Sequence, residues 1–189
     1  MVTSAGIGLP GHRSPGVGFE APFEMLCACH ERVTSMLDLL SRLRLHLIQK
    51  GWDEPASRAA ADVMRYFDLA APEHHLDEEL HVFPAVLALQ NGHMDAVINR
   101  LQQEHIEMEK RWAGARKALL RVIDSDQHRW TLFQASENAI LDSFFAVYQD
   151  HILDEESVIY PAAMQALTSD QLQRMSLDMM RRRGQVPPA

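Results

Sequence analysis

A motif that occurs twice constrains this chain more than any other feature of its sequence. Residues 74–84 and 151–161 align without a gap; each reads His-x-Leu-Asp-Glu-Glu and, after three further residues, an aromatic residue and a proline. Residues four positions apart lie one turn apart on the same face of an α-helix. Each copy therefore presents an imidazole beside a carboxylate, which indicates two helices that carry metal-ligating side chains. The two pairs are His74 with Glu78 and His151 with Glu155.

The alignment of the two copies also selects between neighbouring candidates. His75 aligns with the apolar Ile152, whereas His74 aligns with His151, so His74 is the predicted inward residue. Its partner one turn later is Glu78, which is therefore preferred to the glutamate that follows it. A carboxylate has two oxygens and can bridge two cations. Two such helices that face each other could supply two bridging carboxylates and two terminal imidazoles.

Hydrophobic periodicity places the repeated motif in a bundle of four long helices. The predicted helices run from Pro22 to Gly51, from residues 53–55 to Asn91, from about residue 93 to 123, and from near Gln127 to Pro161. Pro72 is expected to kink the second helix or to divide it into two abutting helices. A short amphipathic helix is expected over residues 169–183. No sustained alternation indicates strands, so the prediction is an all-α, up-down antiparallel four-helix bundle with a short extra C-terminal helix.

The same pattern divides the chain into three regions. Residues 1–20 are rich in Gly, Pro and Ser and are predicted to form a flexible N-terminal tail. Residues 21–168 are predicted to form the bundle, and residues 169–189 the C-terminal helix and tail. Hydrophobic residues make up 47 % of the chain, which is enough for one sizeable core.

The first and third helices each carry a histidine on an apolar stripe. His30 lies among leucines and a valine, and His105 lies between Leu101 and Met108. A lone core histidine is usually a hydrogen-bonded packing residue, and a lone His-x-x-x-Glu pair is often a surface ion pair. Here four helices each contribute a histidine, and the two repeated carboxylates would be costly to bury without a partner. The combination favours a metal site in the interior of the bundle.

Other histidines and glutamates are assigned more modest roles. Glu79 and Glu156 are predicted to accept hydrogen bonds from ligand imidazoles elsewhere in the bundle. The remaining histidines are expected in the tail (His12), near helix ends or on polar faces (His46, His93, His128), and beside the site or facing solvent (His75, His81).

These residues resemble the hemerythrin-like family, also called the HHE cation-binding domain. The resemblance covers roughly residues 23–165. It rests on His30, on His74 and Glu78 with Phe83-Pro84, on His105, and on His151 and Glu155 with Tyr160-Pro161. It implies an up-down four-helix bundle that contains two iron ions joined by an oxo or hydroxo bridge. Members of the family bind oxygen, sense oxygen or iron, or act in nitric-oxide and oxidative-stress responses.

One position departs from the oxygen carriers of that family. They have a second histidine one turn after the ligand of the third helix, and this chain has Glu109 there. Glu109 lies one turn from His105, so it is a candidate seventh metal ligand, a hydrogen-bond partner of a ligand, or an exposed residue. A carboxylate at that place would favour the ferric state by its charge. The departure indicates the broader bacterial-type branch of the family rather than reversible oxygen carriage.

Composition narrows the possible partners. The net charge of -8 disfavours nucleic acid and anionic membranes, and no segment approaches the ~20 apolar residues of a membrane span. The two cysteines, Cys27 and Cys29, form no disulfide framework, which fits a reducing cytoplasm.

A ferritin-like bundle is the alternative fold for a helical di-iron protein, and it needs two Glu-x-x-His motifs. His81 completes one such motif, but Val158 replaces the histidine in the second copy, which disfavours this alternative.

The predicted donor set of imidazoles and carboxylates, without thiolates, suits iron, with manganese or zinc as competitors. The first functional hypothesis is a non-enzymatic di-iron protein that binds or senses dioxygen or nitric oxide, or buffers iron. The alternatives are a di-iron redox catalyst in oxidative or nitrosative stress or in iron-cluster repair, and an interaction module with a structural metal. The sequence contains no nucleophile, phosphate-binding loop or organic-cofactor motif that would indicate a substrate. It also leaves the oligomeric state open.

Overall fold

A computed structural model of the chain describes residues 18–186, and all the regular structure among them is helical. The α-helices are α1 (Pro22–Gln49), α2 (Glu54–Asp77), α3 (Phe83–Leu87), α4 (Gly92–Ile123), α5 (Ala135–Ala146), α6 (Tyr148–Asp154), α7 (Tyr160–Ala166) and α8 (Ser169–Arg182). Two π-helical turns are π1 (Glu78–Val82) and π2 (Glu155–Ile159). Most of the predicted N-terminal tail, including His12, lies outside the described residues.

The helical segments form four rods and a fifth, shorter helix. The first rod is α1, the second is α2 with π1 and α3, the third is α4, and the fourth runs from α5 to α7 through π2. The first connection is short: Gly51 adopts the left-handed conformation after α1, and the Asp53 side chain accepts a hydrogen bond from the Ala56 N–H at the start of α2. Each rod packs on the next, as the predicted up-down bundle requires.

Each π turn coincides with one copy of the repeated motif. It begins at the motif glutamate and ends just before the aromatic–proline pair. The Phe83 N–H donates to the Glu78 carbonyl, and the Tyr160 N–H donates to the Glu155 carbonyl, five residues back in each case. A proline inside an α-helix lacks a donor and crowds the carbonyl four residues earlier. The wider turn lets both rods continue through their prolines, and such turns occur frequently at functional sites.

A polar layer separates two hydrophobic clusters in the interior. One cluster contains Val33, Leu40, Phe67, Met108 and Phe144, and the other contains Leu26, Phe83, Leu101, Ile159 and Met175. The motif residues lie where the rods pass from one cluster to the other. Among the described residues, no helix has the length and apolarity needed to cross a bilayer.

The predicted C-terminal helix is confirmed as α8, which covers one end of the bundle. Met175 and Met179 are buried against the second hydrophobic cluster. Arg182 and Arg183 both donate to Asp77, a fully buried carboxylate next to Glu78. The last helix is therefore fixed to the rod that carries the first copy of the motif.

One detail of the helix prediction is wrong, and one of the two alternatives predicted at Pro72 is excluded. The fourth rod begins at Ala135 and not near Gln127, because the Asp126 side chain accepts from the backbone N–H groups of His128 and Arg129 and holds a turn there. The segment around Pro72 is one helix, α2, rather than two abutting helices.

Candidate metal centre

Four histidines and two glutamates meet in the polar layer, and all six side chains are buried. They are His30 of α1, His74 of α2, Glu78 of π1, His105 of α4, His151 of α6 and Glu155 of π2. Every rod therefore contributes, and the two rods with the repeated motif contribute twice. These are six of the seven residues that the sequence singled out.

The six side chains form two groups that share one residue. In the first group, ligand-type atoms of His30, His74, Glu78 and Glu155 lie within 4.8 Å of one another. In the second group, atoms of His105, His151 and Glu155 meet the same limit. Glu155 belongs to both, so one carboxylate could contact two ions.

Both glutamates direct one oxygen to each group. For Glu155, Oε2 lies 3.2 Å from His30 Nε2, and Oε1 lies 3.0 Å from His151 Nε2. For Glu78, Oε1 lies 3.4 Å from His74 Nε2, and Oε2 lies 3.5 Å from His105 Nε2. Each carboxylate lies between the two groups of imidazoles and could therefore contact an ion in either group.

Three outer carboxylates fix the orientation of three of the imidazoles. The Nδ1 atoms of His30, His105 and His151 lie 2.8, 2.9 and 2.9 Å from carboxylate oxygens of Glu156, Glu79 and Glu104, respectively. The predicted roles of Glu79 and Glu156 are confirmed. Glu104 was missed, although it directly precedes a predicted ligand. His74 differs, because its Nδ1 has no hydrogen-bond partner among the described residues.

These hydrogen bonds determine which ring nitrogens can bind a cation. When a carboxylate accepts a hydrogen bond from the Nδ1–H group of a neutral ring, the Nε2 atom of that ring keeps a free lone pair. The Nε2 atoms of His105 and His151 then face each other at 3.1 Å. Two lone pairs at that distance repel unless a positive charge lies between the rings or beside them.

Buried oxygen atoms without hydrogen-bond partners also indicate that the centre binds cations. Glu78 Oε2 and both carboxylate oxygens of Glu155 are buried without a hydrogen-bond partner among the described residues. Burying such groups costs several kcal/mol when nothing compensates them. The nitrogen and oxygen donors therefore fit metal cations, which would satisfy all these atoms together.

The pKa values of the two glutamates of the centre are shifted in opposite directions. Burial, and then the negative charge of Glu155, raises the pKa of Glu78 well above its usual value. Burial also opposes ionisation of Glu155, but the imidazoles of His105, His151 and His30 outweigh it and hold its pKa well below the usual range. Burial lowers the pKa of His74 well below its ordinary value. This shift keeps the His74 imidazole neutral, the form that binds metals.

A cavity of about 300 Å³ extends from the surface between α2 and α4 to the second group. Its inner wall includes His105 and His75, whose rings stack with centroids 4.0 Å apart. Phe67, Met108 and Trp112 supply much of the apolar lining. His75 therefore flanks the centre, as the repeat predicted.

Glu109, the seventh predicted ligand, lies outside both groups. Its side chain is exposed and lines the same cavity. His81, another residue assigned a flanking or surface place, pairs with Asp178 of α8 at 2.9 Å.

The fold and the site define a class of protein: a four-helix bundle whose interior presents histidines and glutamates suited to metal cations. A sequence profile described as the Hemerythrin HHE cation binding domain matches residues 21–163. The chain therefore belongs to the hemerythrin HHE cation-binding domain family. It is also 30 % identical, over 162 residues, to an uncharacterized protein of Haemophilus influenzae. That similarity covers 86 % of this chain and 90 % of the relative.

Proposed function

We propose that this protein binds two iron ions and uses them to bind or sense a small diatomic ligand, dioxygen or nitric oxide. The observation that carries the proposal is the pair of atom groups joined by Glu155 and Glu78. The proposed ligands are His30, His74, Glu78, His105, His151 and Glu155. When bound, the ions would supply a redox-active centre with room for a small ligand.

Iron is favoured by the donors. Imidazole and carboxylate together suit iron, while a cysteine-rich zinc site is excluded by the donor set of the two groups. Two carboxylates would stabilise the ferric state by their charge, and four neutral imidazoles would keep the ferrous state accessible. Manganese and zinc remain the competing ions, and iron buffering is compatible with the same centre.

The cavity supports a ligand-binding role over a purely structural metal. It ends at His105, one of three residues of the second group, and its apolar lining suits an uncharged diatomic molecule. Because Glu78 Oε2 faces His105, each group has two imidazoles and two carboxylate oxygens, and the position of the cavity is what distinguishes the second group. The small ligand would bind on the side of the second group.

Metal analysis together with the visible spectrum tests this function. Protein loaded with ferrous iron without oxygen should bind two iron ions per chain, and added nitric oxide should change its spectrum. If the protein instead holds two zinc ions that iron cannot replace, and its spectrum does not respond to nitric oxide, the metal has a structural role. Repeated consumption of nitric oxide or peroxide with a reductant would favour the catalytic alternative over binding.

The choice between His74 and His75 gives a direct prediction. His74→Ala should lower iron binding and stability together, because metal binding contributes to folding free energy. His75→Ala should retain two iron ions, since His75 stacks on His105 but lies in neither group. Iron per chain and the thermal midpoint measure both effects. Greater iron loss in His75→Ala than in His74→Ala would contradict the assignment.

The cavity gives a prediction for ligand access. Leu76 lines the cavity and is partly exposed, so Leu76→Trp should narrow the opening. We expect slower binding of nitric oxide to the ferrous protein in stopped-flow measurements, at unchanged iron content. The matched control is Leu153→Trp, because Leu153 has the equivalent place in the repeat but does not line the cavity. Equal slowing in both variants would show that the ligand enters elsewhere.

A further inference from the structure

A tyrosine hydroxyl lies directly beside the first group of ligand atoms. Tyr160, in the first turn of α7, is buried, and its hydroxyl donates a hydrogen bond to Glu78 Oε1. The same oxygen lies 3.3 Å from His30 Nε2. The Tyr160 ring stacks on His30, with centroids 5.6 Å apart and planes inclined by 8°. The hydroxyl is therefore held among atoms already identified as metal-facing.

The other half of the centre provides an internal comparison. Phe83 has the same place in the repeated motif as Tyr160. Its ring stacks on His105, with centroids 5.7 Å apart and planes inclined by 21°. The two aromatic residues thus occupy corresponding positions over corresponding histidines. The halves differ by one oxygen atom, which is present beside His30 and absent beside His105.

We propose that the Tyr160 oxygen is a further ligand of the ion held by His30 and His74. This inference rests on the proposed di-iron function. Binding would break the O–H bond as the oxygen forms its bond to the ion, and the proton would leave to solvent. No electron is transferred in this step. The phenolate is a hard anionic donor and suits a ferric ion.

The local contacts explain why the oxygen would change partner. The Tyr160 hydroxyl donates its hydrogen bond to Glu78 Oε1. That oxygen also faces His74 Nε2 at 3.4 Å and belongs to the first group. A cation held there would attract both oxygens and would displace the proton between them.

The proposed ligand also makes the two ions unequal. The ion of the first group gains a fifth protein residue, whereas Phe83 gives nothing to the ion of the second group. The cavity reaches His105, on the side of the second group. Tyr160 would thus leave the small ligand one available ion, the one next to the cavity.

The tyrosine content of the chain makes the test simple. The sequence has three tyrosines in all, Tyr66, Tyr148 and Tyr160. A Tyr66→Phe/Tyr148→Phe variant of the full chain retains Tyr160 as its sole tyrosine. The two replaced residues have other partners: the Tyr66 hydroxyl donates to the Cys29 carbonyl, and the Tyr148 ring packs on Phe67 and Phe144. Ferric protein is then examined by visible absorption and by resonance Raman spectroscopy, with iron per chain measured on the same samples.

We expect phenolate ring vibrations, enhanced by excitation in the visible band, in the wild type and in the double variant. Tyr160→Phe should lose these vibrations while it still binds two iron ions, because it keeps the ring that stacks on His30. If Tyr160→Phe fails to fold, the signal of the double variant identifies Tyr160 by itself.

Three outcomes would overturn the inference, and they are distinguishable. Wild type with two iron ions and no phenolate vibrations would overturn the role of Tyr160 and leave the di-iron function standing. A chain that binds no iron would overturn both proposals. A signal that disappears in the double variant would assign the phenolate to another tyrosine and would also overturn the inference.

Discussion

Glu155→Gln should reduce iron binding from two ions per chain to less than one. Glutamine keeps the size of the side chain but removes the charge. Its amide nitrogen donates hydrogen bonds and does not bind a cation, so the side chain cannot contact two ions as a carboxylate can. Because Glu155 belongs to both groups, the substitution affects both ions and not one. The loss should exceed the roughly 10–100-fold decrease in affinity that follows removal of a hydrogen-bond partner of a ligand.

The next residue gives the matched control for Glu155. Glu156 contacts His30 Nδ1 at 2.8 Å and is partly exposed, so Glu156→Gln should weaken iron binding without abolishing it. Titration with ferrous iron, followed by metal analysis after desalting, measures the difference. Two tightly held ions in Glu155→Gln would contradict the double bridge. An equal loss in the two variants would indicate that charge alone, and not position, matters.

Loss of the arginine pair on α8 should be the largest stability effect outside the centre. Arg182 and Arg183 both donate to Asp77, whose side chain is 0 % exposed. A buried carboxylate left without its partners typically costs about 3–5 kcal/mol. Arg182→Met/Arg183→Met should therefore lower the free energy of unfolding by about that amount. Urea unfolding of the metal-free protein, followed by circular dichroism, measures it without a contribution from iron.

The repeat again supplies a control. Asp154 is the counterpart of Asp77, but its side chain is 30 % exposed and pairs with Arg100 on the surface of α4. Exposed pairs contribute about 0.2–1 kcal/mol, so Arg100→Met should change stability little. Equal effects of the two substitutions would mean that the Asp77 pair is as weak as a surface pair. A stability loss that Asp77→Asn reverses in the double variant would identify the unpaired charge as the cause.

Comparison of the two motif copies was sufficient to predict which histidine and glutamate of each copy are buried together. His74 was distinguished from His75 by comparison of the copies, and the structure buries His74 with Glu78 in one group. Helix positions four apart share a face whatever the helix packs against. For that reason the choice needed no knowledge of the neighbouring rods, and the same holds for His30 and His105 on their apolar stripes.

Partners on other rods could not be read from spacing. Glu104 orients His151, and nothing in the sequence connects these two residues across α4 and α6. Glu109 lies one turn from His105 and satisfies the same spacing rule, yet its side chain is exposed. Periodicity assigns a residue to a face of its own helix. Whether that face is buried at the position of the residue depends on how the neighbouring rod packs against it.

The sequence by itself determined the helical bundle, the repeated motif and the histidines and glutamates that point inward, because all of these follow from positions along single helices. Only the tertiary structure decided what the equivalent residues of the two halves contact. Tyr160 and Phe83 are equivalent in the repeat, as are Asp77 and Asp154. Tyr160 places a hydroxyl beside Glu78, and α8 covers Asp77 but not Asp154. The physical reason is that contacts between rods depend on which surfaces meet, and a motif repeated in sequence meets different neighbours at its two places in the fold.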